Sequence, residues 1–363
     1  MSHADISIPI QLIKGRGSAT RLAHRFERNQ RDPFDDGWSE ATSDSDESPR
    51  IATTWTWEDA KSAISRNTSP DIGFDLSINP YRGCEHGCSY CYARPSHSYL
   101  GFSPGLDFET RLIAKRGLAE RLTHELASPR YQPAMMALGT ITDAYQPLDR
   151  ELRLTREVLQ VLHDCQHPMS VVTKGSGIER DIDLLAPMAA RRQAGVCVSV
   201  TTLDADLARR MEPRAAAPWR RLRTIRTLVD AGIPVGVSVS PQIPFINDDM
   251  EQVLAAARDA GATSAFYVVL RLPWELSPLF RQWLDLHYPD RAARVMARMH
   301  DLRGGKDYDA SFTTRRTGQG IWAELIAQRF ATACRKLGLN RQRPVWNVTD
   351  FRPPSRQGQM GLF

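Results

Sequence analysis

Six short apolar runs, separated by longer amphipathic stretches, limit the fold of this chain more than any other feature. The runs occupy residues 74–78, 134–140, 169–174, 196–202, 234–240 and 264–270. Each is short and several are rich in Val and Ile, as is typical of parallel strands that are covered on both faces. Parallel neighbours need long crossover connections, which the intervening stretches supply. The sequence therefore predicts an α/β fold with a mostly parallel sheet.

Helices are predicted between the runs from Leu, Val and Ile at spacings of three and four. The clearest helical patterns cover residues 111–126, 151–165, 220–231 and 250–260. Gly195, Gly232 and Gly261 follow helical patterns and precede apolar runs. We expect each of these glycines to end a helix in the left-handed conformation.

Strand and helix periodicity fits both a doubly wound sheet and a (βα) barrel. The positions of polar residues separate the two. Cysteines follow the first run, Thr142 and Asp143 follow the second, Lys174 ends the third, and Ser199 lies on the fourth. Barrel enzymes build their active sites at the carboxyl ends of the strands, so this placement favours a barrel, partial or full.

The chain divides into three predicted regions. Residues 1–70 form an N-terminal arm, which we expect to be poorly ordered in part because Asp32 to Glu47 carries seven acidic residues and no basic ones. Residues 71–290 form the barrel core. Residues 291–363 form a helical C-terminal extension, with a long helical pattern that Gly338 closes.

Composition and net charge argue against a membrane protein and against an obligate nucleic-acid-binding protein. No apolar run reaches the 18 or so residues that span a bilayer, and the N-terminus lacks the features of a signal peptide, so a cytoplasmic protein without a membrane partner is expected. The net charge of +5 is too small to indicate an obligate nucleic-acid-binding protein. The stretch Arg214–Arg226 holds five arginines, and it fits either a solvated helix face or an anion contact.

Three cysteines within eight residues, Cys84, Cys88 and Cys91, form the pattern C-x3-C-x2-C. Clustered cysteines in a chain of this length indicate a metal site more often than disulfides. Gly83 and Gly87 allow the loop to turn tightly. Three thiolates leave one iron of a four-iron cluster without a protein ligand, and a small chelating molecule can bind there.

Zinc is the alternative for this loop, with His86 or His97 as the fourth ligand. Zinc sites usually pair two cysteines with a second pair well downstream, and no such pair follows here, so an iron–sulfur cluster is favoured. The remaining cysteines are interpreted as structural: Cys165, Cys197 and Cys334.

The cysteine loop resembles the signature of the radical S-adenosylmethionine (SAM) superfamily, which has this spacing and an aromatic residue before the last cysteine, here Tyr90. The segments TITDAYQPLDRE, VVTKGSGIERDIDLL and LRLP resemble the spore photoproduct lyase-like branch, and the resemblance covers about residues 74–290. It implies a partial (βα)6 TIM-type barrel and a [4Fe–4S] cluster on the three cysteines. It also implies reductive cleavage of SAM to a 5′-deoxyadenosyl radical and an electron donor such as flavodoxin or ferredoxin.

The resemblance also assigns roles by position. The residues that match contacts to SAM are Tyr90 at the adenine, Thr142 and Asp143 at the amino group, Lys174, Ser199 at the ribose or carboxylate, and Arg214 at the carboxylate. Each has a simpler alternative. Thr142 and Asp143 also fit a turn or helix cap, Lys174 a solvated loop, and Ser199 a packed strand position.

One residue departs from the branch. Where the lyase carries a cysteine as hydrogen-atom donor, three residues before the aspartate, this chain has Thr140. A threonine O–H bond is too strong for that role, so thymine-dimer repair is not expected. Tyr92 matches a tyrosine that relays a radical, or it packs beneath the cluster. Nucleic acid is the leading candidate substrate of a lyase-type reaction. The alternative function is a zinc-dependent nucleic-acid-binding protein that uses the Arg214–Arg226 stretch.

Overall fold

The computed structural model describes residues 10–27, 51–342 and 344–354. Much of the predicted poorly ordered arm, residues 1–9 and 28–50, lies outside these ranges, as does the chain end from 355 to 363. The strands are β1 (Thr54–Asp59), β2 (Ser65–Arg66), β3 (Leu76–Ile78), β4 (Tyr81–Arg82), β5 (Arg111–Arg116), β6 (Met136–Leu138), β7 (Met169–Thr173), β8 (Ala194–Ser199), β9 (Val235–Ser238) and β10 (Ser264–Phe266).

Helices connect and cover these strands. They are α1 (Leu106–Thr110), α2 (Leu118–Leu126), α3 (Asp149–Leu152), α4 (Leu154–Asp164), α5 (Ile182–Ala190), α6 (Ala205–Met211), α7 (Pro218–Asp230), α8 (Met250–Asp259), α9 (Leu276–His287), α10 (Pro289–Leu302) and α11 (Gly320–Leu337). Two 3₁₀ helices cover Arg94–Leu100 and Ser176–Asp181. No helix in the described ranges is both long and apolar enough to cross a membrane.

The main sheet has the strand order β10-β9-β8-β7-β6-β3-β2. The six strands from β3 through β6 to β10 are parallel, and only β2 pairs antiparallel, with β3. Each of the six apolar runs overlaps one of the parallel strands, and five contain their strand entirely. Because β10 and β2 are edges, the sheet does not close on itself, and the predicted α/β partial barrel with a helical C-terminal extension is confirmed.

One helical pattern was predicted too long. Residues 111–116, predicted as the start of a helix, form β5, and the helix α2 begins only after Gly117, which has φ of 66°. The strand pairs along its whole length with β1, parallel and in register from Thr54 to Asp59. Pairing with a segment more than 50 residues earlier overrides the local helical spacing, which the chain pattern alone does not show.

Of the three glycines predicted to end helices, two are confirmed and one prediction is wrong. Gly232 and Gly261 have φ of 78° and 104° after α7 and α8, as predicted. Gly195 instead lies inside β8, and the left-handed residue after α5 is Arg192, with φ of 60°. A Cβ on Gly195 would lie 2.9 Å from the ring of Trp346, so the glycine is needed for close packing against the C-terminal segment.

Residues 314–317, which we call the strap, contact segments next to the first and the last parallel strand. Arg315 of the strap pairs with Asp71, just before β3, through Nη2 and Oδ1 at 2.5 Å. The backbone N–H of Val269, just after β10, donates to the carbonyl of Arg316 at 2.8 Å. The strap therefore joins the first and last parallel strands on the side where the barrel is open.

Candidate active site at the cysteine loop

The cysteine loop follows β3 and faces a cavity of about 420 Å³ at the carboxyl ends of the parallel strands. Cys84, Cys88 and Cys91 line the cavity, and none of the three forms a disulfide. The cavity is also lined by the predicted residues Tyr90, Tyr92, Thr142, Asp143, Lys174 and Ser199. Arg214 does not line it. Its guanidinium instead pairs with Glu85 of the cysteine loop, Nη2 to Oε1 at 3.0 Å.

The backbone of the cysteine loop is held by Arg94, which is only 1% exposed. Its guanidinium donates from Nε to the carbonyl of Cys88 at 2.9 Å and from Nη2 to the carbonyl of Gly87 at 3.0 Å. Nη2 also pairs with Oε1 of Glu109 at 3.0 Å, and Glu109 is fully buried. The charge of Arg94 is therefore neutralised inside the protein while its donors fix the loop.

The N-terminal arm completes this arrangement. The backbone N–H groups of Gly17 and Ser18 both donate to the Glu109 carboxylate at 2.9 Å, and Arg16 Nη1 donates to the Glu109 carbonyl at 2.9 Å. A Cβ on Gly17 would lie 1.6 Å from the carbonyl oxygen of Gly87, so only glycine fits against the loop. The prediction of a partly ordered arm did not include this contact with the cysteine loop.

Thr142 and the neighbouring Gln146 support the loop from β6. The hydroxyl of Thr142 donates to the carbonyl of Gly83 at 2.6 Å. The buried side chain of Gln146 accepts from the backbone N–H of Glu85 at 2.8 Å and donates to the Thr142 hydroxyl at 3.1 Å. Gln146 lies in a segment that resembles the lyase-like branch, but no sequence pattern marked its side chain as part of the site.

Asp143 joins the cysteine loop to the ends of β6 and β7. Its carboxylate accepts from Thr173 Oγ1 at 2.6 Å, from the N–H of Lys174 at 2.8 Å and from the N–H of Tyr145 at 2.9 Å, and it lies 3.2 Å from His86 Nδ1. Burial alone would raise the pKa of Asp143, but His86 and the hydrogen bonds hold it below its usual range. Both oxygens already have donors.

Tyr90 belongs to a buried polar group. Its hydroxyl donates to Glu212, whose carboxylate also accepts from Thr201 at 2.6 Å and pairs with Arg221. Burial opposes ionisation of Glu212, but the charges of Arg221 and Lys174 lower its pKa to about 2. Arg221, predicted as part of a solvated face or an anion contact, is 2% exposed and donates from Nη1 to the Ser199 carbonyl at 3.0 Å. Arg221 therefore supports the site from inside the protein.

Lys174 presents its ammonium group beside the cysteines. Its Nζ lies 5.8 Å from the centroid of the Tyr90 ring. Nζ makes no ion pair or hydrogen bond with any other residue in the described part of the chain. Burial opposes its charge, yet nearby Cys88 and Glu212 keep the pKa of Lys174 above its ordinary value. An uncommitted cation on the cavity wall suits a carboxylate ligand.

Tyr92 bridges the cysteine loop and β6. Its hydroxyl donates to the backbone carbonyl of Thr140, and its side chain is half exposed. Thr140 is itself fixed by Asn79, whose Nδ2 donates to the threonine hydroxyl at 3.1 Å. The phenol thus lies against the position where the lyase-like branch carries its cysteine.

The donor set of the loop fits an iron–sulfur cluster. Burial raises the pKa of the Cys88 thiol to about 12 and that of Cys84 well above its usual value, so thiolates here need a strong positive centre beside them. Within the described ranges, no three His, Cys, Asp or Glu side chains are grouped closely enough to hold a single metal ion. A cubane cluster has a different requirement, because each thiolate binds a separate iron and the sulfurs stand apart around it.

The fold and the site define an α/β barrel protein with a three-cysteine loop at the carboxyl ends of its strands. The sequence profile of the radical SAM superfamily matches residues 78–257, and the chain belongs to this superfamily. Membership implies SAM and a [4Fe–4S] cluster as cofactors, a source of reducing electrons, and a SAM-cleaving enzyme activity.

The chain is also similar to uncharacterised proteins and to solved structures. An uncharacterised protein of Mycobacterium tuberculosis is 35% identical over 238 residues, which are 64% of this chain and 70% of the relative. An uncharacterised protein of Methanocaldococcus jannaschii is 25% identical over 231 residues, 64% of this chain and 82% of the relative. The structure of spore photoproduct lyase complexed with dinucleoside spore photoproduct is 14% identical, with 78% of each chain covered and a TM-score of 0.49. A similarity of that degree does not bear on the substrate.

Proposed function

We propose that Cys84, Cys88 and Cys91 hold the [4Fe–4S] cluster and that the adjoining cavity binds SAM. The observation that carries the proposal is the shared cavity: three thiols and the uncommitted ammonium of Lys174 face the same space of about 420 Å³. When bound, the cluster supplies the electron that cleaves SAM reductively and releases the 5′-deoxyadenosyl radical.

The residues around the cavity have distinct proposed tasks. Lys174 pairs with the SAM carboxylate, because its ammonium is free and close to Cys88. Ser199 contacts the ribose from β8, and Tyr90 contacts the adenine while Glu212 fixes its hydroxyl. Thr142 and Asp143 orient the cysteine loop near the amino group, since the hydroxyl and the carboxylate are already engaged with protein donors and acceptors. Arg214, paired with Glu85, supports the loop.

The reaction beyond SAM cleavage is proposed to be of the lyase type, with nucleic acid as the leading candidate substrate and flavodoxin or ferredoxin as the electron donor. Tyr92 is proposed as the hydrogen-atom relay, because Thr140 stands where a thiol donor is expected and the phenol lies against it. A phenolic O–H bond is weak enough to yield a hydrogen atom. A cytoplasmic location suits such electron donors.

The alternative, a zinc-dependent nucleic-acid-binding protein, depends on a basic surface at Arg214–Arg226. The structure commits three of those arginines to internal ion pairs: Arg214 with Glu85, Arg220 with Glu179, and Arg221 with Glu212. The charge of these three arginines is therefore largely neutralised within the protein, which supports the radical SAM proposal over this alternative.

Metal analysis tests the proposal against the alternative. The protein is purified without oxygen and reconstituted with iron and sulfide. We expect about four irons per chain and broad absorbance at about 400 nm. Stoichiometric zinc without a chromophore would contradict the proposal. His97→Gln serves as the control for a fourth histidine ligand, and it should leave the iron content unchanged because His97 Nε2 lies 3.0 Å from the Arg111 carbonyl instead.

A further inference from the structure

The cavity has a second group of cations, away from the cysteines. Arg271 follows β10, and Arg316 belongs to the strap, and both line the cavity together with Tyr92. The guanidinium carbon of Arg271 lies 5.4 Å from the centroid of the Tyr92 ring. The arginine pair therefore borders the side chain proposed to act on the substrate.

Neither arginine has a carboxylate partner in the described part of the chain. Arg271 donates from Nη2 to the hydroxyl of Tyr308 at 3.2 Å, and its buried Nε has no hydrogen-bond partner. Arg316 donates from Nη1 to the backbone carbonyl of Asp71, whose carboxylate is occupied by Arg315. Of the two strap arginines, Arg315 is therefore neutralised by Asp71, and Arg316 faces the cavity.

Negative charge is scarce on the described part of the cavity wall. Among the lining residues that the structure describes, Asp143 is the single carboxylate, and both of its oxygens already accept hydrogen bonds. Two guanidinium groups close together on a largely apolar wall raise the free energy of the protein unless an anion joins them. Burial lowers the pKa of Arg316, and the charge of Arg271 lowers it further, while the Asp71 carboxylate offsets part of this effect.

We propose that Arg271 and Arg316 bind an oxyanion carried by the substrate, and that this contact holds the substrate beside Tyr92. The proposal rests on the proposed function for its reacting partner. The shared chemistry is that of a phosphodiester or a carboxylate, because a guanidinium fork matches both. Lys174, next to Cys88, is left for the carboxylate of SAM, so the arginine pair serves a second anion.

Equilibrium dialysis tests the proposal with radiolabelled inorganic phosphate and the reconstituted protein saturated with SAM but without reductant. We expect one phosphate site, and we expect Arg271→Gln to weaken it about tenfold or more, because a charge-assisted hydrogen-bond donor is lost. Arg316→Gln should act in the same direction. Arg209→Gln, which removes an exposed arginine on α6, should leave phosphate binding unchanged.

Three further arms make the outcome decisive. Preference for the dinucleotide d(TpT) over its uncharged methylphosphonate analogue assigns the oxyanion to a phosphodiester, and preference for acetate over phosphate assigns it to a carboxylate. Exclusion of phosphate by SAM overturns the proposal, since the arginines then bind the cofactor. Equal phosphate affinity of wild type, Arg271→Gln and Arg316→Gln also overturns it.

Dialysis with protein that lacks cluster and SAM separates the two proposals. Phosphate binding that depends on Arg271 in this protein supports the anion site even if cluster loading or SAM cleavage fails. Conversely, SAM cleavage by Arg271→Gln at the wild-type rate, together with unchanged phosphate binding, leaves the proposed function standing and overturns the anion site. Retained circular dichroism and iron content confirm that the variants fold.

Discussion

The N-terminal arm, Arg94 and the cysteine loop meet at Glu109. Removing the charge of Glu109 should therefore weaken the contacts among all three. The fully buried carboxylate accepts from Arg94 Nη2 at 3.0 Å and from the N–H groups of Gly17 and Ser18 at 2.9 Å. In Glu109→Gln one oxygen becomes an NH2 group. At least one of the three donors then faces another donor, and the Arg94 charge is left unpaired.

The expected decrease in the free energy of unfolding is large for the replacement of a single oxygen by an NH2 group. Leaving one partner of a buried ion pair uncompensated typically costs about 3–5 kcal/mol. Urea denaturation followed by circular dichroism measures that loss. Because Arg94 also holds the carbonyls of Gly87 and Cys88, we expect fewer irons per chain after reconstitution as well.

A surface pair provides the matched control. Glu251 pairs with Arg329 at 2.7 Å, but the two side chains are 41% and 34% exposed. Glu251→Gln should therefore cost roughly 0–1 kcal/mol and leave the iron content unchanged. If Glu109→Gln is as stable and as iron-rich as Glu251→Gln, the buried ion pair does not hold the cysteine loop and the reasoning is refuted.

Two further predictions concern the hydroxyl and carboxylate groups near the cavity. Tyr92→Phe removes the hydroxyl that donates to the Thr140 carbonyl. Because only the proposed hydrogen-atom relay needs this hydroxyl, the variant should keep its iron content and substrate-free SAM cleavage but turn over the substrate more slowly. Normal turnover by this variant would mean that Tyr92 only packs. Glu212 has a pKa of about 2 against an ordinary 4.5, so its stabilisation is complete above pH 4.5 and is lost as the pH falls towards 2, on the order of 3 kcal/mol in all. Glu212→Gln should remove that part of the acid dependence in urea denaturation, and an unchanged slope would contradict the assignment.

Much of the fold follows from local pattern. The six parallel strands were predictable because each lies in a short, mostly apolar run between helical stretches, as is typical of strands buried on both faces. The strand at residues 111–116 was not predictable from the same signal. Its partner, β1, lies at residues 54–59, and pairing across that separation leaves no periodicity to recognise.

Part of the candidate site was likewise predictable from the sequence, and part was not. The cysteine spacing indicated a soft metal centre, and the strand-end positions of Asp143, Lys174 and Ser199 predicted that these side chains share one cavity. The supporting pair Arg94 and Glu109 was missed, because a charged residue that is buried by distant segments looks in sequence like any surface charge.

The most direct test of the central claim is the formation of 5′-deoxyadenosine. Reconstituted protein is incubated without oxygen with dithionite and SAM, and the nucleoside is quantified by chromatography. We expect wild type and Cys334→Ala to release it, since Cys334 lies far along the chain in α11, and we expect no release from Cys84→Ala, Cys88→Ala and Cys91→Ala. Release by any of those three loop variants at the wild-type rate, or no release by the iron-loaded wild type, would contradict the account.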